Sequence, residues 1–279
     1  MVPIEYKTLI TADQLSAILD QKNIVILDCS FSLANTALGR NLYLASHIPG
    51  AYFMDINLDL SSPVIKGVTG RHPLPHPLVL TSTLKATGLE PHSQVIVYDQ
   101  SNGMYAARAW WLLNWLGHQK VALLDGGFGA WTASNHPVDN QWPMPKQGSF
   151  EFTNPKLVTV GMKELVSESH TLIDSREYIR FIGEIEKIDP IAGHIPGAIC
   201  IPFLDNTDER GFWKSAEQLK LKFANLIQDE HGPPVFYCGS GVTACHNILA
   251  YKIATGNNAS LYPGSYSEWI NFYPVETGA

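Results

Sequence analysis

The chain has little of what marks membrane, secreted or nucleic-acid-binding proteins. No apolar run approaches 18 residues, so no membrane span is expected. The stretch Met1 to Leu15 lacks a basic segment followed by an apolar core, and it lacks an Arg-rich amphipathic pattern. Neither a secretory signal nor a transit segment is therefore expected. Cysteine is scarce: Cys29, Cys200, Cys238 and Cys245 form no CxxC pair and no dense cluster. That usage favours a reducing compartment over a disulfide framework, with the cytoplasm as the expected location. Positive charge is also short, with 19 Lys and Arg against 26 Asp and Glu and no basic stripe, which argues against a nucleic-acid partner.

What is present suits a folded protein with sizeable cores. Hydrophobic residues make up 45% and charged residues 16%, a balance that excludes disorder and collagen-like repeats. A length of 279 residues fits two domains of roughly 140.

The chain repeats itself at about that length. Ile24-Val25-Ile26-Leu27-Asp28 is answered by Thr171-Leu172-Ile173-Asp174, and His47-Ile48-Pro49-Gly50-Ala51 by His194-Ile195-Pro196-Gly197-Ala198. Gln94 to Asp99 matches Pro234 to Cys238, and Gly126-Gly127-Phe128-Gly129-Ala130-Trp131 matches Gly264-Ser265-Tyr266-Ser267-Glu268-Trp269. The offsets are 146–147 for the first two pairs and 138–139 for the last two, a drift that loop indels explain. The chain reads as a duplication.

Each half alternates short apolar strands with helical stretches. Continuous apolar runs such as Val95 to Tyr98 predict strands buried on both faces in a parallel sheet. Thr11 is the expected N-cap of a first helix, and Tyr105 to Leu116, rich in Trp, the expected core helix. The expected architecture is therefore α/β, two tandem domains with helices flanking mostly parallel sheets. The boundaries fall at residues 1–138, a Pro-rich linker at 139–156 (Pro143, Pro145, Pro155), and 157–279.

Chemistry concentrates in Cys238-Gly239-Ser240-Gly241-Val242-Thr243-Ala244. A buried strand ends at Cys238, and a small-residue loop joins it to a helix over Cys245 to Thr255. Backbone N–H groups converging in such a loop make an anion nest, and the helix dipole adds positive potential there. The arrangement favours the thiolate, which is the nucleophilic form.

This loop, the two His-Ile-Pro-Gly turns, Trp110-Trp111, Asp125-Gly126-Gly127 and Ser267-Glu268-Trp269 resemble the two-domain rhodanese superfamily, and within it the 3-mercaptopyruvate sulfurtransferases. The resemblance spans nearly the whole chain. It implies two rhodanese-like domains of which only the C-terminal one is catalytic, Asp99 standing in the N-terminal half at the position of Cys238. It implies sulfur transfer from a small-molecule donor, 3-mercaptopyruvate, through a Cys238 persulfide to cyanide or a thiol such as thioredoxin or a small thiol, with no metal and no organic cofactor. Gly239, Gly241, Val242 and Thr243 would cradle the persulfide. Arg180, followed by Phe181, matches one of two cations that hold the substrate carboxylate, and Lys187 aligns with the second. Ser240 and His72 match two members of a Ser–His–Asp relay, His72 reaching across from the N-terminal domain. The third aligns with Asn57, leaving Asp55 or Asp59 as substitutes. His47 and His194 are expected to be structural, Cys29 and Cys200 to be core residues, and Cys245 to pack, with a regulatory disulfide as its alternative.

Three other readings compete. Thiosulfate sulfurtransferases carry charged loop residues where this chain has Gly239 and Ser240, so the loop is expected to offer dipoles alone. A Cys-dependent phosphatase needs Arg six residues after the nucleophile, and Ala244 stands there. A non-catalytic docking module would not need a thiol in a nest.

Overall fold

The computed structural model describes residues 5–153, 157–227 and 232–278. The chain divides into two compact units that trade short segments. Unit 1 comprises Met1–Ser61, Pro75–Lys156 and Glu209–Trp213; unit 2 comprises Ser62–Leu74, Leu157–Asp208 and Lys214–Ala279.

Unit 1 is built on five parallel strands: β1 (Leu9–Ile10), β2 (Ile24–Asp28), β3 (Tyr52–Phe53), β4 (Gln94–Tyr98) and β5 (Val121–Leu124), in the order β1-β5-β4-β2-β3. The central strands are buried along nearly their whole length, as their unbroken apolar runs require. The helix Ala106–Trp115 is buried almost all round, with Trp111 fully covered and stacked on Trp115. A helix whose only polar residues are Arg108 and Asn114 is stable only inside a core. Thr11 caps the first helix, Ala12–Ile18, in a reciprocal box with Gln14.

Unit 2 repeats the plan with four parallel strands, β6 (Leu172–Asp174), β7 (Ile199–Cys200), β8 (Val235–Tyr237) and β9 (Ser260–Leu261), in the order β7-β6-β8-β9. The counterpart of β1 is a single bridge, Thr159 to Leu261.

The duplication extends to individual hydrogen bonds. Tyr98 Oη accepts the Ile48 N–H and Tyr237 Oη the Ile195 N–H, both at 3.2 Å. His47 stacks on Tyr43 and bonds its carbonyl at 2.7 Å; His194 stacks on Phe181 and bonds its carbonyl at 2.8 Å. Trp131 and Trp269 each donate an indole N–H to a carbonyl of the segment that follows, Pro137 and Pro274. Both histidines thus hold turns.

The division into units departs from the expected boundaries at three places. The Pro-rich stretch is no free tether through residue 153: Lys146, Gly148, Phe150 and Thr153 donate backbone N–H groups to unit 1 carbonyls, and Phe150 is buried. Prolines remove periodicity without preventing such extended docking. Residues 154–156, with Pro155, lie outside the described residues. Ser62–Leu74 leaves the first half for unit 2 as a loop closed at its base by Ser62 N–H to Pro73 O, 3.0 Å. Conversely Glu209–Trp213 joins unit 1, where the Trp213 N–H donates to Asp125 Oδ1 at 2.9 Å.

Candidate active site

Cys238 follows β8 directly and is 2% exposed. Its backbone is pinned on both sides by the first turn of the last helix of unit 2, Ser265–Trp269: Cys238 N–H donates to Ser265 Oγ at 3.2 Å, and Cys238 O accepts from Tyr266 N–H at 3.0 Å. Gly239 O likewise accepts from Ser267 N–H at 3.0 Å. The loop then doubles back at Gly241, whose φ is +76° and where a Cβ would sit 2.6 Å from Pro263 O. Only glycine meets both demands.

This reversal aims the amides at sulfur. Cys238 Sγ accepts the N–H of Gly241 at 3.2 Å and of Ser240 at 3.5 Å. Val242 is buried and Thr243 opens the helix Thr243–Thr255, so the loop runs directly into a helix N-terminus. Negative charge on Cys238 is therefore held by fixed dipoles. Cys245, fully buried, donates its thiol to Gly241 O at 3.2 Å and packs beneath the loop.

Ser240 Oγ and His72 Nδ1 are hydrogen-bonded at 2.7 Å, both groups buried. His72 does not come from the unit 1 body: its loop, Ser62–Leu74, is part of unit 2. Asn57 is exposed and donates its backbone N–H to Asp55 Oδ1, while Asp59 Oδ2 accepts the Asp55 N–H; these three belong to unit 1.

The cations differ from expectation. Arg180 is where the sequence put it, at the end of the short helix Tyr178–Phe181 and beside Gly239. Lys187 is exposed and makes no ion pair among the described residues. The second guanidinium is Arg71, the residue before His72. Its Nη2 is 2.6 Å, and that of Arg180 3.8 Å, from where a Gly239 Cβ would stand. A loop expected to offer dipoles alone thus has two arginines over it. Glycine at 239 is what leaves them room.

Carboxylates hold this pair. Asp189 bridges them, Oδ1 to Arg71 and Oδ2 to Arg180 Nη2 at 3.1 Å. Glu186 takes Arg180 Nε at 3.0 Å and Nη2 at 2.9 Å, and also caps the N–H groups of Ile188 and Asp189. Burial works against the Glu186 carboxylate, but those two N–H groups and Arg180 outweigh it and bring its pKa below the ordinary value. Burial dominates at Asp189 and keeps its pKa raised despite Arg71. Arg71 was missed because its partners are remote in sequence; its one local signal is adjacency to His72. Cys29 is fully buried, and Cys200 is half-buried on an edge strand, its thiol pushed up to about 12 by burial.

Residues 11–134 and 161–272 each match the rhodanese-like domain. The chain is 46% identical to a probable 3-mercaptopyruvate sulfurtransferase of Pseudomonas aeruginosa, over 97% of this chain and 98% of that one. It is 33% identical to the thiosulfate sulfurtransferase of Bos taurus, over 90% and 86%. Among solved structures, the 3-mercaptopyruvate sulfurtransferase from Leishmania major superposes with a TM-score of 0.86 at 28% identity, over 96% of this chain and 75% of that one.

Proposed function

The chain belongs to the rhodanese family and is a sulfurtransferase, and on that premise we propose that it moves sulfur from 3-mercaptopyruvate through a Cys238 persulfide to a thiol or cyanide. The observation that carries the reading is a cysteine in an amide nest with two guanidiniums over the next residue. The nest suits a sulfur anion, and the arginines suit a carboxylate a few bonds from the reacting sulfur.

In the first half-reaction the Cys238 thiolate attacks the donor sulfur. An S–S bond forms, the donor C–S bond breaks, and its electron pair leaves on carbon as the enolate of pyruvate. The proton that Cys238 gave up returns at that carbon, so thiol plus mercaptopyruvate yields persulfide plus pyruvate in balance. The Ser240–His72 hydrogen bond offers a path for that proton. Gly239, Gly241, Val242 and Thr243 would contribute loop amides to the persulfide, which stabilise charge as it develops on sulfur. In the second half-reaction an acceptor thiolate or cyanide attacks the outer sulfur and restores the Cys238 thiolate. None of the four cysteines is in a disulfide, in keeping with a reducing compartment such as the cytoplasm.

The test is intact-protein mass spectrometry after exposure to mercaptopyruvate. A species heavier by one sulfur atom, formed with stoichiometric pyruvate and absent in Cys238→Ser, is expected. Sulfur mapping to Cys245, or turnover by Cys238→Ser, would overturn the assignment. Thiosulfate is the second donor to compare, because the bovine relative is named for it.

A further inference from the structure

The two guanidiniums over Gly239 do not act with their full charge. Asp189, 7% exposed, gives one oxygen to each, and Glu186 takes two nitrogens of Arg180. The third arginine nearby, Arg176, is buried against Asp174, with Nη2 to Oδ2 at 2.7 Å, and lies 3.5 Å from Glu186. Three guanidiniums thus face three carboxylates, and the cluster sums to no net charge. N–H donors remain all the same. A guanidinium has five, and Arg180 commits Nε and Nη2, while Arg71 turns Nη1 to Asp189 and lays Nη2 over Gly239.

We propose that Asp189 is a specificity-determining residue: by bridging Arg71 and Arg180 and, with Glu186, cancelling their charge, it admits a monoanionic carboxylate donor and turns away a compact dianion. The inference rests on the donor reading above and adds to it the group that sets donor choice. A monoanion such as mercaptopyruvate needs paired N–H donors in fixed geometry, which the bridged arginines supply without a large net field. A dianion such as thiosulfate brings a second charge into a partly buried site, where a neutral cluster leaves it uncompensated. Gly239 and Ser240 carry no charge, but Arg71 and Arg180 bring it to the loop, and Asp189 with Glu186 neutralises it.

Asp189→Asn keeps the size and one acceptor and removes the charge. A donor with one extra negative charge then gains one extra unit interaction, on the order of tenfold at a near-aqueous dielectric. The experiment measures kcat/KM for thiosulfate and for mercaptopyruvate on the native protein, Asp189→Asn and Asp189→Glu at low ionic strength. The thiosulfate-to-mercaptopyruvate ratio should rise roughly tenfold in Asp189→Asn, shrink again with added salt, and stay within about twofold of native in the charge-conserving Asp189→Glu. A purely structural role would depress both donors alike; an unchanged or lower ratio in Asp189→Asn overturns the proposal. If that variant loses its native thermal transition, Glu186→Gln, which removes the adjacent charge, must move the ratio the same way or the proposal falls. Should the native protein release no pyruvate from mercaptopyruvate, the donor reading fails by itself. The charge argument then stands or falls on whether KM for thiosulfate drops in Asp189→Asn.

Discussion

The two halves of the chain carry the same cradle filled in two ways. In unit 1 the loop after β4 wraps the Asp99 carboxylate: Oδ1 accepts the N–H groups of Ser101 at 2.7 Å and Gly103 at 2.9 Å, and Oδ2 those of Tyr105 and Ala106 at 2.8 Å. In unit 2 the loop after β8 gives Cys238 Sγ two longer contacts. The first cradle is saturated by an anion built into the chain, so it holds structure together and takes no guest. The second gives its neutral-or-anionic sulfur two N–H contacts in place of four, and its strand end supplies a nucleophile in place of a fixed carboxylate. One scaffold therefore serves as a fastener or as a reaction site, according to which anion the strand end supplies.

The largest effect expected from this comparison comes from cutting the halves apart. A fragment of residues 157–279 keeps Cys238 and its loop but loses Ser62–Leu74, and with it Arg71 and His72. Its sulfur transfer from mercaptopyruvate should fall more than a hundredfold, measured as pyruvate release by folded fragment. Losing an arginine clamp and a proton-transfer partner together accounts for a drop of that order. Full activity in the fragment would mean that the nest alone is sufficient. Within the whole chain, Arg180→Ala should lower kcat/KM for mercaptopyruvate roughly 10- to 100-fold, the value of a charge-assisted contact, and Arg71→Ala should do the same.

Ser240 and His72 sharpen the comparison at the level of one hydrogen bond. Each alanine variant should lower kcat by about 10- to 100-fold, and the double variant should be no worse than the poorer single one. Losses that multiply across the two sites would show that they act separately.

The strength of the duplication made much of the fold readable. β2 occupies the residues that its apolar run and terminal Asp mark, Ile24–Asp28, and the Trp-rich helix falls within one residue of each expected end. The cysteine, its loop and the Ser240–His72 pair were readable too, through the family resemblance. What escaped is non-local. Arg71 meets Asp189 across 118 residues, and no periodicity within Ser62–Leu74 signals that this loop serves unit 2. Lys187 drew attention because it is charged and at the expected spacing, yet in a loop a side chain's direction follows from its capping bonds. Here Glu186 and Asp189 turn inward and Lys187 faces solvent.

Asp99→Ala tests the fastener directly. Removing four N–H···O bonds to a buried carboxylate leaves those amides unpaired, a loss of about 3 kcal/mol that should lower the thermal midpoint by roughly 5–10 °C. Below that midpoint, persulfide formation at Cys238 should continue. A variant as stable as the parent would show that water fills the cradle as well as Asp99 does.

The smallest expected effect concerns the acids that end β2 and β6. Asp174 has Arg176 two residues on, giving Nε and Nη2 to the carboxylate while the guanidinium lies 3.9 Å over the Tyr266 ring. Asp28 has Ser30 at the corresponding position, whose N–H donates to Oδ1 at 2.8 Å. Burial pushes the Asp28 pKa up, and the nearby Asp99 adds to the rise against the opposing hydrogen bonds of Ser30 and Tyr98. An acid whose pKa is raised on folding stabilises the native state below its unfolded pKa of about 3.9. That contribution is lost as pH rises through the folded value. At neutral pH the ionised Asp28 is therefore a liability that a neutral amide lacks. Asp28→Asn should raise the urea midpoint at pH 7.5, and the gain should vanish towards pH 4. Equal destabilisation at both pH values would show that Asp28 is as well partnered as Asp174, and that the missing arginine makes no difference between the halves.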